Sequence, residues 1–133
     1  MPAGSGPQII RTTGTSVAAS EVALAVMPAQ SWQEVLGLLL SVSMNFTPGT
    51  SQTTLTLRIR QGNGTGGTLV GIAHVNTTVA TAPIETAIQE QDTSAFALAG
   101  QNQQYTVTGQ ANAAGPGTSN ACLLELETIA PLI

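Results

Sequence analysis

The sequence predicts an all-β protein in which two antiparallel sheets pack face to face as a jelly-roll-like sandwich, with one or two short helical turns. Three observations support this fold class. Apolar residues recur at every second position in several segments, as they do in strands with one buried face. Turn residues separate these segments at intervals of roughly 8–12 residues. About eight short strands in a single domain are most often arranged as a jelly roll.

The clearest strand lies in "LGLLLSVSMNF". Its even-numbered positions are all apolar: Leu36, Leu38, Leu40, Val42, Met44 and Phe46. A strand gathers such residues on one face, whereas a helix would scatter them around its axis. After the turn residues "TPGTSQ", the segment "TLTLRIR" alternates again, which predicts a second strand with Arg58 and Arg60 on its polar face.

Weaker alternation predicts the remaining strands. They are Gln8–Thr13, Val17–Val26, Thr68–Val75, Thr77–Ala82, Ile84–Gln91, Gln104–Gln110 and Ala121–Ile129, of which the fourth and fifth are either two strands split by Pro83 or one interrupted strand. The segments Pro28–Leu36 and "TSAFALAGQ" are the candidates for short helical turns. In the first, Ser31 and Glu34 have the spacing of a helix capping box.

No internal linker divides the chain, so we expect one sandwich domain over residues 15–133. Residues 1–14, rich in Pro, Gly and Ser, are expected to form an N-terminal arm. The start of the chain lacks a basic segment followed by an apolar run, so no signal peptide is expected. The longest apolar stretch, "VLGLLLSV", is too short to span a bilayer. Synthesis in a cytoplasm, without export by a classical route and without a membrane partner, is the expectation.

Charged residues make up only 8% of the chain, against about 25% in ordinary soluble domains. Lysine is absent, and the basic residues are Arg11, Arg58 and Arg60. A surface of neutral polar side chains favours a protein that packs against other protein, although drift in the composition of a thermophilic or secreted protein remains an alternative. With a net charge of −4, the chain has no basic patch that could bind nucleic acid directly.

The glycine-rich stretch "GNGTGG" allows two interpretations, a phosphate-binding loop or the turn of a hairpin. A phosphate loop lies between a strand and the start of a helix, and the Walker version needs a lysine. Here the segment that follows, "TLVGIAHV", alternates like a strand. Glycine and asparagine tolerate the positive φ of hairpin turns. The sequence therefore predicts a hairpin.

No residue pattern indicates catalysis, so no enzyme activity, cofactor or metal is expected. His74 has no nucleophile or acid at a motif spacing. The acidic residues Glu85, Glu90 and Asp92 lack the calcium-loop pattern and are expected on a solvated or interface surface. Cys122, the only cysteine, excludes an internal disulfide and is expected in the core. Trp32 is expected to plug one end of the sandwich, with a carbohydrate platform as the alternative.

Arg58 and Arg60 would repel each other on one strand face unless carboxylates met them. We therefore predict that Glu125 or Glu127 pairs with them, either across strands or across subunits.

The run "LTLRIRQGNGTGGTLVG", the Thr-rich strands and "GQNQQYTVTGQANAAGPGTSN" resemble small virion proteins of tailed bacteriophages, over roughly Ser51 to Ile129. The resemblance implies a jelly-roll or TNF-like sandwich that binds the capsid exterior as a homotrimer and cements the major capsid protein. The alternative is a receptor-binding module or fibre tip that recognises a host glycan or protein. Interface residues are expected at Ile9, Ile10, Arg11, Arg58, Arg60, Glu125 and Glu127.

Overall fold

The computed structural model describes residues 8–27, 30–31, 37–77, 84–92 and 102–129. Within these residues it contains strands and no helix. The strands are β1 (Gln8–Thr12), β2 (Thr15–Val17), β3 (Val22–Val26), β4 (Gln30–Ser31), β5 (Gly37–Thr47), β6 (Thr54–Gln61), β7 (Leu69–Asn76), β8 (Ile84–Asp92), β9 (Asn102–Gln103), β10 (Tyr105–Ala111) and β11 (Gly117–Ile129).

Two antiparallel sheets contain all but β4 and β9, which pair as a small ribbon. A five-stranded sheet has the order β1-β11-β5-β8, with β2 also paired to β11, and a four-stranded sheet has the order β3-β10-β6-β7. Taking β1 and β2 as one broken strand leaves eight main strands, and the chain crosses between the sheets as a jelly roll does. The predicted fold class is therefore confirmed.

The core lies between the sheets and is built from the alternate positions of the long strands. In β5, Leu40, Val42, Met44 and Phe46 are buried, as the alternation predicted. In β6 the buried residues are Leu55, Leu57 and Ile59, and in β11 they are Cys122, Leu124 and Leu126. Every second side chain of these strands therefore faces outward, which creates the two external surfaces of the protein.

The predicted strand Val17–Val26 is divided in the structure. Val17 ends β2 in the five-stranded sheet, and Val22 begins β3 in the four-stranded sheet. Strict alternation also fails in β3, because Leu24 and Ala25 are both buried. The register between β10 and β3 shifts at Val107, where a bulge adds one residue to β3. The alternation of apolar residues within one segment does not indicate where the register against another strand will shift.

The predicted arm contains an edge strand of the sandwich. Gln8–Thr12 pairs with β11, from Leu126 to Cys122. The Thr12 hydroxyl also donates to the Leu24 carbonyl at 2.6 Å, and Gly14 N–H donates to the Ser119 carbonyl at 2.9 Å. Residues 8–14 are thus bonded to both sheets, while residues 1–7 lie outside the described ranges.

One buried side chain ties together the loops at an end of the sandwich. Gln52 is 1% exposed, and its Nε2 donates to the carbonyls of Val17 at 2.9 Å and Ala113 at 3.0 Å. Its Oε1 accepts from Gly49 N–H at 2.8 Å. Since buried polar groups are costly when unpaired, this one residue fixes the ends of several strands.

The glycine-rich stretch is a hairpin connection, as predicted, because it joins the antiparallel strands β6 and β7. Gly62 and Gly64 have φ values of 103° and 96°, which favour glycine. The loop folds back onto β10: Thr106 Oγ1 donates to the Gly62 carbonyl at 2.7 Å and accepts from Gly64 N–H at 3.0 Å. No residue of this loop is placed before a helix.

The predicted helical turns fall almost wholly outside the described residues. Of Pro28–Leu36, only Gln30 and Ser31 are described, and they form β4, paired with β9. Ser31, expected as an N-cap, therefore lies in a short strand. The second predicted helical turn, residues 93–101, lies outside the described ranges. So does the greater part of the predicted strand Thr77–Ala82.

Candidate interaction surfaces

The two sheets of the sandwich each present an outer face to the surroundings. Within the described residues no group of three or more His, Cys, Asp or Glu is placed to hold a metal ion. In that same part of the chain, no helix has the length and apolar character needed to cross a membrane.

The outer face of the four-stranded sheet carries an ion-pair cluster centred on Glu21. Arg60 Nε donates to Glu21 Oε2 at 2.7 Å, and its second terminal nitrogen donates to Oε1 at 3.0 Å. Arg58 lies 3.4 Å from the same carboxylate. Two parallel bonds from one guanidinium make a specific and strong contact. Glu21 thus faces both arginines of β6 and offsets one of their two positive charges.

Neutral groups complete this Glu21 cluster. Thr108 Oγ1 donates to Glu21 Oε2 at 2.5 Å. Arg58 also donates to Gln110 Oε1 at 2.9 Å, and Gln110 Nε2 donates to the Ala19 carbonyl at 2.8 Å. Arg60 reaches the glycine hairpin by donating to the Gly67 carbonyl at 2.9 Å. The cluster thereby joins the loop before β3 to β6, β10 and the hairpin.

The hydrogen bonds and charges of the Glu21 cluster shift the pKa values of Glu21 and Arg60. The hydrogen bond from Arg60 lowers the pKa of Glu21 below its ordinary value of 4.5, and partial burial opposes this shift. Hydrogen bonds from Thr108 and the charges of both arginines act in the same direction as the Arg60 bond. Reciprocally, the hydrogen bond to Glu21 raises the pKa of Arg60. Glu21 is therefore ionised throughout the neutral range.

The predicted pairing of Arg58 and Arg60 with Glu125 or Glu127 is wrong within the chain. The two arginines do share one face of β6, as predicted, but β6 belongs to the four-stranded sheet and β11 to the five-stranded sheet. The outward faces of the two sheets point away from each other. The carboxylate that meets the arginines is Glu21.

Sequence reasoning missed Glu21 because the residue lies directly before β3, 39 positions from Arg60. A strand pattern does not show which sheet a distant residue will join. One signal did exist: two arginines on one strand face require a carboxylate, and Glu21 is one of seven acidic residues in the chain.

The outer face of the five-stranded sheet brings together four of the seven predicted interface residues. In the register, Ile9 lies opposite Glu125 and Arg11 opposite Leu123. Ile9 is 49% exposed, Arg11 is exposed, and Leu123 and Glu125 are half-buried. Glu127, two positions further along β11, is exposed on the same face. Of the other predicted residues, Ile10 packs against the core, and Arg58 and Arg60 are on the opposite sheet.

The neighbouring strand β5 covers the middle of this face with small neutral side chains. Ser43 lies opposite Leu123, and Ser41 lies opposite Glu125. Asn120 donates to Asn45 Oδ1 at 2.8 Å and to Thr47 Oγ1 at 2.7 Å. The middle of this face is thus polar but almost uncharged, and charged residues are depleted in the buried cores of protein–protein contacts.

The edge strand β7 exposes two further apolar residues. Leu69 is 45% exposed and Ile72 is 41% exposed. They lie opposite Arg60 and Arg58 in the register of β6, beside the Glu21 cluster. Scattered surface apolar residues are common, so these two alone do not define a binding site.

The candidate residues for chemistry and the described aromatic residues are placed as follows. His74 is exposed, and its Nδ1 lies 3.1 Å from Thr56 Oγ1. Cys122 is buried, as expected, and desolvation raises its pKa to about 12. Phe46 and Tyr105 are fully buried, and Trp32 lies outside the described residues. In the register of β8 with β5, Glu85 lies opposite Asn45, Glu90 opposite Leu40 and Asp92 opposite Leu38. For these three residues the structure describes the backbone and not the side chains.

No protein-family model matches the sequence, and no curated protein matches it. Solved structures do share its fold at low sequence identity. Infectious bursal disease virus Gx strain contains a chain with a TM-score of 0.57 and 12% identity; the match covers 94% of this protein and 33% of that longer chain. A chain from the capsid of Ralstonia phage GP4 matches with a TM-score of 0.51 and 17% identity over 98% of this protein and 88% of that chain.

A carbohydrate-binding fold is similar as well. The CBM36-1 domain of a multidomain xylanase, from the hindgut metagenome of Trinervitermes trinervoides, has a TM-score of 0.50 and 10% identity over 91% of this protein and 96% of that chain. Viral capsid chains and a binding module therefore share the two-sheet fold with this protein. These structural neighbours belong to structural and binding classes.

Proposed function

We propose that the protein is a non-enzymatic structural component of a virion, a decoration or cement protein. It binds the outside of the major capsid shell as a homotrimer and stabilises that shell. Its site of action is the capsid exterior, and its partners are further copies of itself and the major capsid protein.

The observation that carries this proposal is the low density of charge on the outer face that β1, β5 and β11 form in the five-stranded sheet. Along β1, β5 and β11 the described outward positions are Ser, Thr, Asn, Ala, Leu and Ile, with charge only at Arg11, Glu125 and Glu127. Monomers commonly keep a strongly charged surface that prevents association. A flat sheet face with few charges can instead be covered by protein without the desolvation of many ions.

The mechanism follows from repeated attachment. Each trimer contacts several capsid subunits, so separating those subunits also requires breaking its contacts. Because the sites are linked within one trimer, individually modest contacts give long residence on the shell. The stabilisation needs no turnover and no cofactor.

The comparison with the phage GP4 capsid is consistent with this proposal. The alignment covers nearly all of both chains, so a chain in that phage capsid has almost the same extent as this protein. At 17% identity the likeness concerns the fold, and a fold can host many functions.

The alternative, a receptor-binding or fibre-tip module for host glycans, has less support from the described residues. Sugar sites generally use exposed aromatic rings as platforms. Phe46 and Tyr105 are fully buried. A glycan array probed with the purified protein tests this alternative directly, and specific binding there would favour it over the cement function.

Localisation in the particle is the decisive test. We expect cryo-electron microscopy of intact virions to show trimers on the outer surface of the shell. We also expect purified protein to co-sediment with empty capsids and to raise the temperature at which they disassemble. Its absence from the particle, a position inside the shell, or unchanged disassembly of saturated capsids would contradict the proposal.

We also propose that the N-terminal arm docks on a neighbouring subunit, and the test of this role requires a shorter truncation than residues 1–14. Removing Gln8–Thr12 would delete a strand paired along its length with β11, so lost binding would be confused with lost folding. Deletion of residues 1–7 leaves β1 intact. If this segment docks on a neighbour, the truncated protein will occupy fewer capsid sites while its melting temperature stays unchanged; full occupancy would contradict the arm's role.

A further inference from the structure

We propose that the contact between neighbouring copies of this chain is made by one surface, formed by Ile9, Arg11, Leu123, Glu125 and Glu127. We call it the Arg11 face. The inference rests on the proposed function, since it names the surface through which the homo-oligomer forms. It adds a pairing rule: Arg11 of one copy binds Glu125 and Glu127 of the next.

The first step is the distribution of positive charge. The chain has three basic residues, all arginines. Arg58 and Arg60 are held by Glu21 on the four-stranded sheet, with side-chain exposures of 20% and 18%. Arg11 is exposed on the other sheet and forms no ion pair with any described residue. It is the arginine that is available to another molecule.

The second step is the distribution of negative charge on the same face. Glu125 lies directly opposite Ile9, which places it diagonally across from Arg11 on the neighbouring strand. Such diagonal neighbours are within reach of long side chains. The structure nevertheless gives no ion pair between Arg11 and either Glu125 or Glu127. Cation and carboxylates therefore lie side by side with their charges unused inside the chain.

The third step is the apolar surface between these charges. Ile9 is 49% exposed, and Leu123, opposite Arg11 in the register, is half-buried. Burying the two side chains on association is favourable, and it shields the adjacent ion pairs from water, which strengthens them. The Arg11 face thus has an apolar centre with a cation and two anions around it.

The composition of this face identifies its occupant as a second copy. A partner with a uniformly acidic surface would match Arg11 but repel the two glutamates, and a basic partner would do the reverse. Further copies of this chain supply both: the carboxylates of one neighbour meet Arg11, and the arginine of another neighbour meets Glu125 and Glu127. Electrostatic complementarity of this kind sets the register and partner choice of an interface.

The position of β1 suits a closed assembly. β1 forms the edge of the five-stranded sheet, and β11 is the next strand inward. Arg11 can therefore extend over the rim towards one neighbour, while Glu125 and Glu127 receive the arginine of another. Repeated around a symmetry axis, these contacts close a ring in which every copy makes the same two contacts.

Charge reversal tests the pairing rule in the purified full-length chain. The variant Arg11→Glu should raise the dissociation constant of the oligomer by at least about tenfold, measured by sedimentation equilibrium. Glu125→Arg alone should also weaken assembly. Combining Arg11→Glu with Glu125→Arg restores the charge pair and the net charge, so assembly should return to within about threefold of the original.

A matched control separates the specific contact from general repulsion. Thr65 and Thr68 are exposed in the glycine hairpin, away from the Arg11 face. The double variant Thr65→Glu with Thr68→Glu changes the net charge by the same amount as Arg11→Glu, and it should leave the dissociation constant unchanged. Circular dichroism and melting temperature should show that all variants are folded.

The outcomes also distinguish this inference from the proposed function. Unchanged assembly in Arg11→Glu, or no rescue in the charge-swapped variant, overturns the Arg11 face as the contact even if the protein still binds capsids. A wild-type chain that is monomeric at every concentration overturns both the face and the trimer. Capsid co-sedimentation, measured in parallel, reports on the cement function independently.

Discussion

Arg60 and Glu21 lie 39 residues apart in the sequence, yet the Arg60 Nε and a Glu21 carboxylate oxygen are 2.7 Å apart. The pair closes the outer surface of the four-stranded sheet by joining the loop before β3 to the strand β6. Because Thr108 and Arg58 bond to the same carboxylate, a single side chain connects three parts of the sheet. The free energy of unfolding therefore depends on Glu21 more than on a typical surface ion pair.

We predict that Glu21→Gln lowers the free energy of unfolding by about 1–2 kcal/mol. The glutamine loses the charge that both arginines face, and its NH₂ group cannot accept their hydrogen bonds. The loss is moderated because the carboxylate is 15% exposed and partly screened by water. Urea denaturation measures the effect, with Ser20→Ala, at the exposed preceding position, as the control that should stay within about 0.5 kcal/mol.

The same carboxylate makes stability depend on pH in a defined direction. Its pKa is lower in the folded state than its ordinary value of 4.5, so its stabilisation is fully present above that pH. The contribution disappears as the pH falls through the folded pKa. The difference in unfolding free energy between wild type and Glu21→Gln should thus be constant near pH 7 and shrink steadily below 4.5; a difference that grows on acidification would contradict this.

Adjacent glycines in the hairpin give a paired prediction. A Cβ on Gly67 would overlap the Gln61 carbonyl oxygen, whereas a Cβ on Gly66 would meet nothing within 4 Å. We expect Gly67→Ala to destabilise the protein by about 2 kcal/mol or more, since backbone must move. Gly66→Ala should be neutral or slightly stabilising, because alanine restricts the unfolded chain. Thermal denaturation of both variants checks the contrast, and equal effects would contradict the hairpin geometry.

Gln52 should be the most sensitive polar residue of the loop end. Gln52→Ala removes the partners of two carbonyls and one N–H in a site that is 1% exposed. We expect a loss of about 2–4 kcal/mol. Thr50→Ala, on the exposed surface of the same loop, serves as the control. A loss below about 1 kcal/mol in the Gln52 variant would mean that water replaces the missing bonds.

Cys122 reports on the integrity of the sandwich. It is buried, and its pKa is raised to about 12, so the reactive thiolate is scarce in the folded state at pH 8. Native protein should react with a thiol reagent only at the rate of unfolding, and denatured protein should react at once. Rapid labelling of the native chain would show that β11 is not packed as described.

The strongly alternating segments predicted their own burial correctly. The apolar positions of β5, β6 and β11 lie in the core because a period of two leaves a strand little choice of inward face. The hairpin was predictable for a local reason as well, since glycines between two alternating runs favour a tight reversal. The inward face of a strand and the position of a hairpin turn are both determined by residues close together in the sequence.

What the sequence could not supply was the arrangement of distant segments. The pairing of Arg60 with Glu21 depends on which sheet each strand joins, and the β3 bulge depends on register against β10. For the same reason Arg58 and Arg60 were grouped with Glu125 and Glu127, although the two sets lie on opposite sheets. The incorporation of Gln8–Thr12 as an edge strand likewise requires knowledge of its partner, β11.

The antiparallel pairing of Gln8 with Leu126 brings the beginning and the end of the described fold to the same corner. The chain therefore enters β1 at Gln8 and leaves β11 at Ile129 close to the same rim of the five-stranded sheet. A short peptide that joins the two ends would allow a circular permutant. Its new termini, opened at the exposed Thr65, would lie in the loop between β6 and β7. Cargo could then be displayed from either of two separate corners of one scaffold.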